Sequence, residues 1–254
     1  MSQGAPLLEV YMDQVALGDA LFYTPLINAT PCRLNIQDCD VNRRLEPLFH
    51  GLCETRFVQG DRATSKDVGP ERTHRTRQML DFYGLSKYSR VPRIKLLPEE
   101  LREAWQIVRQ FRNPIAIRDL ARQPHRSMSK DLTRMIVAMN RDSTFLNFGL
   151  SGPVYHGQST DLPPQVVRID DLPIRIMAAC YYHIGRYVGC DTGNPHLMLA
   201  VGGKCDVFIP ENGVGGYNWQ THLYPSDTFQ NDEKRMIYMR INCPGESIVG
   251  MRYF

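Results

Sequence analysis

Thirteen residues in the middle of the chain have the types and spacing to hold a polyanion. The run Lys87-Tyr88-Ser89-Arg90-Val91-Pro92-Arg93-Ile94-Lys95 alternates cations with apolar or aromatic residues. Lys87, Arg90, Arg93 and Lys95 can track a single-stranded backbone while Tyr88 stacks on a base. Just upstream, Arg72, Arg75 and Arg77 put three cations within six residues, too many to hide in a core. Downstream, Arg118 and Arg122 are followed by Lys130, Arg134 and Arg141, whose spacings of 4 and 7 place them on one face of a helix.

The charge distribution supports the same chemistry. The whole chain carries a net charge of only +3, yet residues 62–141 hold 18 Lys and Arg against 8 Asp and Glu, a balance of +10. The remainder holds 12 against 19, a balance of −7. Of the 30 basic residues only six are Lys. Arginine keeps its charge and presents a planar fork that suits phosphate and stacks on bases.

Other chemistries find weaker footing. Cys32, Cys39, His50 and Cys53 form C-x6-C-x10-H-x2-C, whose first spacing is wider than a zinc knuckle uses. Cys180 and His183, followed by Cys190 and His196, make a second cluster in an apolar setting. Core packing accounts for both sets, so no metal or cofactor is expected. Gly149–Pro153 lacks the final glycine of a nucleophile elbow, Gly202-Gly203-Lys204-Cys205 is not a P-loop, and Gly213–Gly216 is not a dinucleotide fingerprint. His74, His125, His156 and His222 offer acid–base groups for a metal-independent nuclease, but no spacing selects a pair.

These residues need elements to position them. Pro98-Glu99-Glu100 opens a helix with Leu101, Ala104, Trp105, Val108 and Phe111 on one face, stopped at Asn113-Pro114. Ile115–Arg122 reads as a short helix, and Ser129 starts another that carries Leu132, Met135, Ile136 and Met139 on one face. Together they resemble a helix-turn-helix with Ser129–Asn140 as the reading helix, although the turn is long. Leu7–Met12, Ala20–Leu26 and Cys53–Val58 read as strands, and Val41–Phe49 as a short helix. After Asp142 strands are expected at Thr144–Phe148, Gln165–Ile169, His196–Val201, Lys204–Ile209, Met236–Ile241 and Ser247–Tyr253. One helix runs from Ile174 to Val188 and stops at Gly189.

The class expected from this pattern is α+β, a helical basic middle segment between β-rich N- and C-terminal parts. Its parts are 1–60, 61–145 and 146–254, with the first and last able to join as one domain. No apolar run is long enough to span a membrane, and Met1–Pro6 lacks a secretory pattern, so a cytoplasmic or virion location is expected. The function expected is a nucleic-acid-binding structural subunit, non-enzymatic, preferring RNA or single strands. It would sit among protein subunits of a ribonucleoprotein complex or a viral coat or nucleoprotein. A duplex-DNA regulator and the acid–base nuclease are the alternatives.

Overall fold

The computed structural model describes residues 7–13, 15–60, 75–121, 126–149, 162–210, 236–241 and 248–253. Among them the strands form two sheets. In the first, β1 (Leu8–Met12), β2 (Cys32–Gln37) and β3 (Glu54–Val58) are parallel and lie in chain order. Parallel neighbours need a crossover. Here α1 (Leu17–Leu21) and α2 (Thr24–Ala29) link β1 to β2, while α3 (Asp40–Leu45) and a 3-10 turn at Glu46–Phe49 link β2 to β3. Then come α4 (Arg75–Phe82), an irregular basic segment, and α5 (Pro98–Val108).

The second sheet holds β4 (Ile115–Arg118), β5 (Phe145–Phe148), β6 (Val166–Ile169), β7 (Arg186–Cys190), β8 (Lys204–Pro210), β9 (Met236–Ile241) and β10 (Ile248–Tyr253). Their spatial order is β10-β9-β8-β7-β4-β5-β6, and every pair is parallel except β9 with β10. From β4 the chain runs outward to β5 and β6, then returns to β7 on the other side. That reversal is the doubly wound topology, with a switch point between β4 and β7. The helix α6 (Lys130–Met139) packs Leu132, Ile136 and Val137 on one face of this sheet with Ile117, Val188 and Phe208. On the other face α7 (Ile174–Ile184) and α8 (Gly193–Ala200) join a core that also takes in Val10 and Leu34 of the first sheet.

The protein is therefore α/β with parallel sheets, which corrects the expected basic helical middle between β-rich ends. Three local differences explain the correction. Ile115–Arg118 is a strand in which all four residues are buried, and a strand buried on both faces shows no alternation to tell it from a helix. Residues 196–200 belong to a helix buried on all sides, which shows no amphipathic period. The helix expected to reach Val188 stops at Gly185, whose φ of 68° makes the left-handed cap, so Val188 lies on β7. Ala20–Leu26, expected as a strand, lies across α1 and α2.

A buried ion pair fastens the layers. Arg175 of α7 donates through Nε and Nη2 to both oxygens of Glu100 on α5. Its remaining donors reach the carbonyls of Pro47 (3.0 Å) and Lys95 (2.6 Å). Glu100 also accepts from the Leu97 N–H at 2.7 Å, satisfying an orphan donor at the start of α5. Burial pushes the Glu100 carboxyl up, but Arg175 and the Leu97 N–H outweigh it and hold it below the ordinary value of 4.5. Removing one partner leaves an uncompensated buried charge, so Glu100→Gln is expected to cost about 3–5 kcal/mol at pH 7 in urea unfolding. Because the folded pKa is depressed, the pair's contribution is present above about 4.5 and fades as pH falls through the native value. The variant should lack that acid-limb loss.

Candidate functional site

In a doubly wound sheet, ligands bind outside the carboxyl ends of the strands at the switch point. Here those ends are Arg118-Asp119 after β4 and Cys190-Asp191-Thr192-Gly193 between β7 and α8. Thr192 caps α8, its Oγ1 accepting the Asn194 N–H at 3.3 Å. Under the turn, the buried Tyr187 hydroxyl donates to the Cys190 carbonyl at 2.8 Å. Arg126 clamps the turn from the β4–α6 connection, donating through Nη2 to the backbone carbonyl of Asp191 and to its Oδ2 at 3.0 Å. The His196 Nε2 stands 3.6 Å from Asp191 Oδ1, and Phe22 packs edge-on against the His196 ring. The result is a turn pinned by side chains at the head of α8, the end that carries the first amides and the positive dipole.

Beside it, Arg118 donates Nε to Leu120 O and Nη1 to Asn147 Oδ1, and Asn147 Nδ2 donates to Asp119 Oδ1 at 3.4 Å. All three side chains are buried. Burial pushes the Asp119 carboxyl up, only partly offset by backbone N–H groups and the Arg118 charge.

The first sheet's lobe closes the site from the other side. A Cβ built on Gly193 would lie 2.6 Å from Leu17 Cβ and 2.9 Å from the Gly18 nitrogen, and one on Gly18 would lie 3.0 Å from His196 Cδ2. Two glycines thus let α1 and the head of α8 touch through backbone. Asp19, next in the chain, is partly exposed there. The approach to α1 is held by Asn42, whose amide donates to Asp13 O and Gln37 O at 2.9 Å.

The thirteen residues expected to bind nucleic acid scatter over several elements. Arg72 and Arg122 lie outside the described residues. Arg75 starts α4, and Arg77 on the same helix pairs with Asp81 at 3.4 Å. Lys87 sits over the Tyr88 ring, Arg90 is half-buried, and Arg93 and Lys95 are exposed on the segment before α5. Arg118 is buried at the switch point, Lys130 and Arg134 lie on α6 with Arg134 paired to Asp131, and Arg141 donates to Ala138 O. Among the described residues no group of three or more His, Cys, Asp and Glu is placed to hold a metal. Cys32 and Cys53 are free thiols that hydrogen-bond each other, an arrangement that, with burial, pushes Cys53 up. Cys180 and Cys190 are buried. The sequence reading missed Asp19, Asp119, Arg126 and Thr192. The signal available was Asp191-Thr192-Gly193, a cap signature opening an apolar run directly after a strand.

The fold is that of known sugar transferases. It matches the family 9 glycosyl transferase of Veillonella parvula DSM 2008 with a TM-score of 0.64 and 10% identity, over 92% of this chain and 86% of that one. It matches the E. coli heptosyltransferase WaaC with ADP at 0.53 and 10%, over 95% and 94%. The E. coli ADP-heptose LPS heptosyltransferase II matches at 0.53 and 8%, over 85% and 87%. No protein-family model and no curated protein matches the sequence. Shared architecture with transferases of this kind overturns the expected nucleic-acid-binding structural subunit, its RNA and assembly partners, and its ribonucleoprotein or viral coat setting. The helix-turn-helix alternative fails because its first helix is the buried strand β4. The nuclease alternative falls with the nucleic-acid partner. Among the described residues no helix is long and apolar enough to cross a membrane.

Two substitutions probe this geometry. Gly193→Ala must push α1 away from α8, and overpacking of this kind costs about 1–3 kcal/mol, read as a lowered Tm. Asp119→Asn removes a carboxyl that burial disfavours when ionised. Since the native pKa is raised, the variant should melt higher than the parent at pH 7. That advantage should vanish once the pH is low enough to protonate Asp119 in the parent.

Proposed function

We propose that the protein is a glycosyltransferase that takes a sugar from a nucleoside-diphosphate donor and passes it to an acceptor hydroxyl. The observation that carries this reading is the convergence of α1 and the Thr192-capped head of α8 at the switch point. A helix N-terminus is suited to a diphosphate, which presents charge where the amides point. Arg126, paired with Asp191, and Arg118, held by Leu120 O and Asn147, fix the shape of the same turn. The fold neighbours support the reading, since two of them are named as heptosyltransferases and one of these carries ADP.

In the reaction, the acceptor oxygen forms a bond to the anomeric carbon while the bond from that carbon to the diphosphate oxygen breaks. The leaving nucleoside diphosphate takes the electron pair, and the amides of α8 stabilise the charge it gains. The hydroxyl proton goes to a carboxylate, and Asp19 is the one α1 brings to the lobe junction. General-base assistance of this kind contributes about 10²–10⁴-fold.

Calorimetric titration with ADP, UDP and GDP should show saturable binding of at least one of them, weakened in Gly193→Val. Asp19→Asn should leave that binding intact and lower sugar release from the matching nucleotide sugar by on the order of 100-fold. Absence of binding by every nucleoside diphosphate would refute the assignment.

A further inference from the structure

The basic segment between α4 and α5 lies apart from the Thr192 turn. It forms one wall of a cleft of about 660 Å³ together with the end of α2 and the turn before β3. Arg93 and Lys95 face Asn28, Thr30, Gly51 and Leu52 across it, and no acidic residue lines it. Both cations are exposed, and among the described residues neither forms an ion pair. Most other arginines of the chain with described side chains are spent on internal carboxylates or carbonyls, as Arg33, Arg43 and Arg175 are.

The backbone beneath these two cations is fixed at every residue. The Arg93 N–H donates to Thr24 Oγ1 at 3.1 Å, and the Arg93 carbonyl accepts from Asn28 Nδ2 at 3.1 Å. The Ile94 N–H donates to Ala200 O at 3.2 Å, and the Lys95 carbonyl accepts from Arg175 at 2.6 Å. Arg93 and Lys95 line the cleft on either side of Ile94, which lines it too and also packs against the core. The Lys95 stem passes over Gly51, where a Cβ would lie 3.7 Å from Lys95 Cδ. With the backbone held this way, binding by the two side chains costs less ordering than it would on a free loop.

We propose that this cleft is an anion site that takes a phosphate group, held by Arg93 and Lys95. Arginine and lysine are the residues that recognise phosphate, one by its fork and one as a point charge. The cleft lies near Ala200, at the opposite end of α8 from the Thr192 turn. It therefore does not rest on the transferase reading, and either can fail alone. A phosphate group reaches such a cleft in two forms, on a freely diffusing phosphorylated compound or on an anionic lipid headgroup.

The test is amide NMR of the full chain titrated with inorganic phosphate, beside chloride at matched ionic strength. Saturable shifts confined to Thr30, Gly51, Leu52 and Ile94 are expected with phosphate alone. The double variant Arg93→Ser, Lys95→Ser should weaken them at least tenfold while the spectrum elsewhere is unchanged. Sedimentation with phosphatidylglycerol-containing vesicles, against phosphatidylcholine vesicles, separates the two sources. Binding to the anionic vesicles that the variant loses identifies a headgroup, and phosphate shifts without vesicle binding identify a soluble compound. Shifts equal in chloride, shifts spread over the surface, or shifts that survive in the variant overturn the site.

Discussion

The Arg175–Glu100 pair is the constraint on which the arrangement turns. One guanidinium satisfies both oxygens of a buried carboxylate and two carbonyls from different parts of the chain. Those contacts tie α7, which leads into β7, to α5, which leads into β4. The two strands that flank the switch point are thus set by helices locked to each other. The carbonyls of Pro47 and Lys95 extend the same lock to the first sheet's lobe and to the basic segment. A buried pair of this kind is not necessarily worth more than apolar packing, but its geometry admits one relative placement of four segments.

What that lock positions is a set of three polar supports around one turn. Arg126 holds Asp191 from outside, Tyr187 holds the Cys190 carbonyl from below, and Thr192 closes the first turn of α8. Each includes a hydrogen bond between side chain and backbone, with Arg126 reaching the Asp191 carboxylate as well, and all are made by the chain itself. Asp119 is the exception in this neighbourhood. Burial works against its charge, and strained or costly groups of this kind concentrate where chemistry or recognition occurs.

The legible parts of the sequence were those with one wet face. Pro98–Val108 and Lys130–Met139 show their apolar spacing because the opposite faces carry charge, and Ser129 caps the second as its type suggests, accepting the Leu132 N–H. Some elements without a wet face were misread, although the buried strand Phe145–Phe148 and the largely buried helix Ile174–Ile184 were expected as what they are. Ile115–Arg118 and Gly193–Ala200 are enclosed by neighbours, so their periods carry no polar marks, and these two frame the site. The charge count misled for a related reason. It registers every arginine but not its partner, and Arg118, Arg126 and Arg175 are spent inside the fold. Arg93 and Lys95, expected on a strip that tracks a nucleic-acid backbone, are exposed, while the polymer assigned to them was not supported by the fold.

The glycine seam sets how closely α1 and α8 approach. With main chain against main chain at Gly18 and Gly193, nothing can be threaded between the two helices. Beside the seam, Thr192 and Asp19 keep partial contact with solvent. Any side chain larger than hydrogen at either glycine would have to widen the seam, so the spacing of the two helices is written into those two positions.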